Sequence, residues 1–193
     1  SFYHSKILPK KHNHIKIKFS NFTIVYNDPR RFGFFKFINS KKELKKYFQK
    51  FGPEANSSKF DFEYIKSKFL NKEKNIKNFL LDQNFVSGIG NIYANEILFH
   101  CKINPFKEAK KLNNKEIKKL SKYSKLVLNL SIKFGGSTIK DFKNFKGMSG
   151  LFQNNFKVYN RQGKNCVRKN CKGKITKIFI SNRSSFFCKF CQK

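Results

Sequence analysis

Four cysteines near one end constrain this chain more than any other feature. They run Cys166-x4-Cys171-x16-Cys188-x2-Cys191. Each short spacing lets one turn of backbone aim two sulfurs at a single ion, and two such turns complete a tetrahedral site. Thiolate-only ligation suits one structural Zn2+ and leaves no position open for water, so the metal is expected to fold the module and do no chemistry. Free thiols or disulfides are the alternative. Between the pairs, Lys174–Ile180 and Ser184–Phe187 read as strands with Ser181-Asn182-Arg183 as their turn. The metal is thus expected to hold a β-hairpin with an arginine at its tip. So short a module cannot bury a core of its own, and the metal supplies its stability. Cys101 stands apart on a helical pattern and is expected to be buried.

A second constraint lies mid-chain, where Leu80 to Phe99 reads LLDQNFVSGIGNIYANEILF. Ile76, Phe79 and Leu80, with Asp82-Gln83, look like the end of an amphipathic helix. Ser87-Gly88-Ile89-Gly90 is a tight turn, since glycine permits backbone angles other residues avoid. Asn91 opens a second helix carrying Ile92, Tyr93, Glu96, Ile97 and Phe99. Asn is a strong N-cap, and the free N–H groups of a helix start attract phosphate. A helical hairpin capped by Asn and packed in a core is the plainer reading.

Charge tilts that choice. The 193 residues carry a formal net charge of +32, which points to a polyanionic partner. All but five of the 43 basic residues are lysine, as an AT-rich coding bias would produce. A solvated surface therefore explains most single lysines, and Arg30, Arg31, Arg161, Arg168 and Arg183 become informative. Arg offers a planar fork of donors that Lys lacks. No apolar run approaches the roughly 18 residues of a membrane span, and no signal-peptide pattern is present.

Residues 1–38 read as strands: His14–Phe19 alternates, Phe22–Tyr26 is rich in β-formers with Ser20-Asn21 as the turn, and Phe34–Ile38 forms another. Asp28-Pro29 breaks the run and places Arg30-Arg31-Phe32-Gly33 on a loop. Guanidinium beside an aromatic ring suits insertion into a base stack; a turn whose arginines pair with carboxylates and whose Phe is core is the alternative. Ser40-Lys41-Lys42-Glu43 is a capping box for a helix with Leu44, Tyr47, Phe48 and Phe51 that ends at Gly52-Pro53. Glu54–Ser58 reads as a polar linker. A helix over about 60–70 presents Phe62, Ile65 and Phe69, and Lys72–Lys77 is a basic shoulder. Ile117, Leu120, Ser124, Val127, Ser131 and Phe134 form the stripe of a long helix stopped by Gly135-Gly136. Lys143–Asn155 reads as loop.

Taken together, Asp28–Gly33, Leu80–Glu96, Gly135–Phe142 (GGSTIKDF) and the cysteine-rich end resemble the formamidopyrimidine-DNA glycosylases, bacterial enzymes that excise oxidised purines. The resemblance implies an α+β protein: residues 1–54 as the remainder of an N-terminal β-sandwich, 55–156 as a helical helix–two-turn–helix domain, and 157–193 as a β-hairpin zinc finger. It implies a monomer acting on damaged double-stranded DNA in the bacterial cytoplasm, at the nucleoid. Arg30 and Phe32 would fill the gap left by a flipped nucleotide. His12, Lys72, Lys77 and Asn91 match DNA-contacting positions. Arg183, in Asn182–Cys188 (NRSSFFC), would grip phosphate and serve the δ-elimination as its catalytic residue. The family's N-terminal proline nucleophile, following glutamate and catalytic lysine have no counterpart here. The chain, which opens on Ser1-Phe2-Tyr3 in apparent mid-strand, is therefore expected to be a fragment that binds DNA without excising a base. Two departures stand out: four residues rather than two between the first cysteines, and Asn160 where the family has Gly, which Asn tolerates. The rivals are an endonuclease VIII-like enzyme for oxidised pyrimidines and a non-catalytic zinc-dependent DNA-binding remnant.

Overall fold

The computed structural model describes residues 2–4, 11–138 and 149–193. By their contacts they divide into two compact units, residues 1–43 with 131–155, and residues 44–130 with 156–193. Ile139–Phe142 and Lys143–Gly147, with Met148, lie outside the described residues.

In the first unit, β1 (Phe2–His4), β2 (Asn13–Lys18) and β3 (Thr23–Asn27) form an antiparallel sheet in the order β1-β3-β2. The Ser20-Asn21 turn closes with Phe19 N–H donating to Phe22 C=O at 2.8 Å. Central β3 buries Val25 completely. The strand expected at Phe34–Ile38 does not form. β-formers make a strand only where a neighbour completes the ladder; no described strand pairs with this segment, and Phe34 and Phe37 stand 71% and 92% exposed. Helix α1 (Lys41–Phe48), whose residues from Leu44 onward belong to the second unit, starts at the expected box, with Ser40 Oγ accepting from Glu43 N–H at 3.1 Å. Glu43 reaches back to the N–H of Asn39, one residue earlier than the usual box.

The second unit holds α2 (Phe62–Phe69), α3 (Ile76–Leu80), α4 (Asn91–Cys101), most of α5 (Asn114–Lys133), and a hairpin of β4 (Ile175–Ile180) and β5 (Arg183–Cys188). Asp61 caps α2 through Tyr64 N–H, and Asn75 caps α3 through Asn78 N–H. Phe60, Tyr64, Phe69, Phe79 and Phe85 interlock, mostly edge to face, as the helical core. Each fully buried ring contributes about 1.5–3 kcal/mol. The stripe of α5 is core at Ile117, Leu120, Ser124 and Val127, and the helix ends at Gly135 and Gly136, both left-handed (φ 70° and 85°). Glu54–Ser58 is no free tether: Ala55 is buried, its N–H donates to Ser87 C=O, and Ser87 N–H donates to Pro53 C=O. Polar composition hid a backbone pairing that side chains do not report. Among the described residues no helix is long and apolar enough to cross a membrane.

Candidate nucleic-acid interface and metal centre

The cysteines converge. The sulfurs of Cys166, Cys171, Cys188 and Cys191 all lie within 4.8 Å of one another. Cys166 and Cys191 are 3.9 Å apart, Cys171 and Cys188 3.6 Å. These are not disulfides. They are the edges of a tetrahedron with metal–sulfur bonds of about 2.3 Å, whose edge is about 3.8 Å. The wide first knuckle closes with Cys171 N–H donating to Arg168 C=O, and Asn170 takes the left-handed backbone it needs. Gly173 is obligatory: a Cβ there would fall 2.6 Å from Cys188 Sγ. The site fits a metal ion. Cys101 is buried, and burial pushes its thiol far up, as suits an inert core residue.

This hairpin is docked along the whole length of α4. At the C-terminal end of the helix, Arg168 donates to Phe99 C=O at 2.7 Å and stacks its guanidinium 4.7 Å from the Phe99 ring. Gln192 donates to Ile103 C=O while accepting from Cys188 N–H. In the middle, the buried carboxylate of Glu96 accepts from the N–H groups of Lys157, Val158 and Tyr159 at 2.8, 3.0 and 2.8 Å. Burial pushes its carboxyl up while those three amides pull it down. Asn95 Oδ1 accepts from Phe186 N–H at 2.7 Å. Between these contacts Phe99, Val158, Cys166, Ile175, Phe186 and Cys188 form a shared apolar core. Asn160 is left-handed (φ 56°), as its place in the glycine position requires.

At the N-terminal end of α4 the arrangement differs from the expected cap. Gly90, not Asn91, is the N-cap, and it makes no side-chain cap bond. Gln83 closes the turn instead, donating to Ile89 C=O and accepting from Gly88 N–H, where Gly88 is left-handed. Asn91 is the first helical residue, and its side chain crosses to donate to Ser184 C=O at 3.0 Å. Its Oδ1 is buried with no protein partner. Lys77 is fully buried; its Nζ donates to the same Ser184 carbonyl at 3.0 Å and to Ser185 Oγ. Burial, and then the nearby Arg183 charge, lower its pKa to about 8. Asn91 and Arg183, far apart in sequence, are thus neighbours through Ser184. Arg183 itself follows the Ser181-Asn182 turn and is exposed. It lines a cleft of 290 Å3 together with Lys74, Asn78, Leu81, Asp82 and Ser181. Lys72 is exposed in the loop before α3.

In the first unit, Asp28 organises the arginine loop. Its carboxylate accepts from the N–H groups of Arg30, Arg31 and Gly33 and from Tyr26 Oη. The Gly33 amide bond leads in holding this carboxyl below its ordinary value. Gly33 must lack a side chain, since a Cβ would fall 1.6 Å from Tyr26 Oη. Arg31 is left-handed (φ 55°). Phe32 is 76% exposed with the Arg30 guanidinium 4.7 Å over its ring, so it is not core. The ion pairs of the described residues include neither Arg30 nor Arg31. His12 is exposed and left-handed (φ 69°), with its carbonyl accepting from Asp28 N–H.

Asn78, Asn95 and Gln192 escape the sequence reading, and Glu96 enters it only for its helical spacing. Glu96 carried a usable signal, a carboxylate inside an apolar helix in a chain with only 11 acidic residues. The others were indistinguishable from surface polar residues.

A glycine-turned helix pair bearing a four-cysteine hairpin defines a helix–two-turn–helix protein with a metal knuckle. The formamidopyrimidine-DNA glycosylase H2TH domain matches residues 51–143. A formamidopyrimidine-DNA glycosylase of Roseobacter denitrificans is 39% identical over the whole chain, which covers 69% of that protein. One from Wolbachia sp. subsp. Drosophila simulans is 42% identical over 94% of the chain and 66% of its own length. A crystal structure of a Lactococcus lactis FPG mutant with Fapy-dG containing DNA matches all of the chain and 71% of that protein, with a TM-score of 0.89 at 34% identity. The chain belongs to the formamidopyrimidine-DNA glycosylase family. It spans about two-thirds of the length of these relatives.

Proposed function

We propose that the protein carrying this sequence repairs DNA by base excision, removing oxidised purines such as 8-oxoguanine and formamidopyrimidines and cutting the strand by β,δ-elimination. One observation carries the reading: a free, exposed arginine on a hairpin anchored beside the start of α4, in a chain of net charge +32. Helix N–H groups and a guanidinium side by side form a phosphate clamp. The Lactococcus lactis protein bound to a formamidopyrimidine lesion supports the purine preference.

In this reading Arg183 and the α4 N-terminus hold the phosphates flanking the lesion, and Lys72 adds charge nearby. Arg30 and Phe32, with His12 on the same unit, occupy the gap left by the extruded base. Lys77 acts from beneath, through Ser184 and Ser185, because its Nζ is not at the surface. A guanidinium holds its protons tightly, so phosphate grip is the first role of Arg183 and proton donation the second. The cysteines hold one structural Zn2+, which folds the hairpin and takes no part in bond breaking. The division 1–54, 55–156 and 157–193 is kept as the functional one, with the last two parts gripping DNA together.

The test is excision by the full-length protein on duplexes bearing 8-oxoguanine, a formamidopyrimidine or an oxidised pyrimidine. Faster release of the two purine lesions is expected. Preference for the pyrimidine would move the protein to the endonuclease VIII type, and no release of any base would leave a DNA-binding protein only.

A further inference from the structure

The turn that carries Arg183 is held in a way its own residues do not explain. Ser181 and Asn182 both have positive φ, 47° and 59°, the signature of a two-residue type I′ hairpin. Asn, Asp and Gly favour the first of these positions; serine does not. A non-glycine residue kept in left-handed backbone points to a use for its side chain. Here the Ser181 hydroxyl accepts from Asn78 Nδ2 at 2.9 Å. Asn78 adjoins Lys77 on α3, so this short helix reaches both flanks of Arg183. Asn78 holds the Ser181 side, and Lys77 holds Ser184 and Ser185. Ser185 Oγ in turn donates to the carbonyl of Arg183 at 3.2 Å. The backbone of the arginine is thus fixed on both sides, while no hydrogen bond or ion pair of the described residues engages its guanidinium.

We infer that Asn78 and Ser181 form a latch that positions Arg183 for its phosphate. This rests on the reading that Arg183 grips DNA. Fixing the backbone before DNA arrives removes ordering entropy that binding would otherwise lose. Asn78 and Ser181 are positioning residues, acting only through Arg183.

The experiment uses the full-length, zinc-loaded protein with Asn78→Ala and Ser181→Gly. Glycine accepts the positive φ, so Ser181→Gly deletes the hydroxyl without straining the turn; Asn78→Ala keeps the backbone N–H that Asn75 caps. Amide exchange at Arg183, in the last pair of the hairpin ladder, should quicken in the free protein in both variants, with zinc content and melting temperature unaltered. Affinity for duplex DNA with a tetrahydrofuran abasic site should fall roughly three- to tenfold in each. The double variant should be no weaker than the weaker single, because one bond is being removed twice. In an Arg183→Ala background the latch variants should cost nothing further. Unchanged amide exchange, additive losses, or losses that persist without Arg183 would each overturn the latch. If Arg183→Ala alone leaves affinity unchanged, the phosphate role of Arg183 fails instead, and amide exchange still decides whether the latch exists.

Discussion

Two arginine-bearing turns in this chain are built on opposite plans. The Asp28–Gly33 loop is organised by one carboxylate, and every bond it accepts comes from within five residues. The Ser181–Arg183 turn is organised from afar: Lys77, Asn78 and Asn91, some 90 to 110 positions earlier, supply its bonds. Both present an exposed arginine at left-handed backbone: Arg31 takes that conformation itself, and Arg183 directly follows Ser181 and Asn182, which do. The first can form as soon as its own residues meet. The second exists only once the metal knuckle, α3 and α4 have come together, so the proposed DNA grip would depend on the integrity of the whole second unit.

Metal removal should separate the two plans most widely. Chelating the proposed zinc should unfold the hairpin, since the module has no independent core, and remove the Arg183-dependent part of DNA binding. The amides of Arg30, Arg31 and Gly33 should keep their protection. Equal loss of protection in both turns would remove the distinction.

Glu96→Ala should come next. It strips three buried N–H groups of their acceptor where the hairpin segment docks on α4. A loss of about 3 kcal/mol in urea unfolding of the zinc-loaded protein is expected. A change under about 0.5 kcal/mol, the usual effect of a surface substitution, would show that the docking does not depend on it.

Lys77 should reveal itself through pH. Its pKa is about 8 in the fold and about 10.4 when unfolded. Between these values the unfolded chain holds a proton the folded one has lost, so stability rises with pH across that window. Relative to Lys77→Met, the protein should gain up to about 3 kcal/mol from pH 8 to 10.5. A flat difference would mean the amine is solvated.

The smallest effect belongs to Asp28→Ala. Amide exchange at Arg30, Arg31 and Gly33 should quicken by about tenfold while the second unit is untouched. The carboxyl is held low, so its bonds persist above the ordinary Asp range and weaken as pH falls through the lowered value. Acid should therefore loosen the hairpin, whose docking carboxyl Glu96 is pushed up by burial and whose proposed metal-binding thiolates compete with protons, before it loosens this loop. Simultaneous loosening would contradict local organisation.

This contrast also explains what was legible in the sequence. The cysteine spacing, the glycine-flanked turn before Asn91, the Ser40 box and the Asp28 loop are local patterns, and each is present. The Phe34–Ile38 strand failed because pairing is not local. Asn91 read as a cap because Asn usually is one; nothing near it in sequence announces Ser184 as its partner. The family resemblance marks Lys77 as a DNA-contacting position, but nothing local in the sequence announces its burial, which only the packing of α3 on the hairpin produces. Likewise, the four-residue first knuckle looked like a looser metal site, whereas Arg168 within it anchors the finger to Phe99.

We propose that the metal-held hairpin delivers Arg183 to DNA phosphate. The most direct test is the affinity of zinc-loaded wild-type protein and Arg183→Ala for abasic-site duplex, measured across a salt series. A loss of about 1–3 kcal/mol, a salt slope shallower by about one counterion, and zinc still bound at about one per chain are expected. Equal affinity and equal slope, with zinc in place, would contradict the proposal.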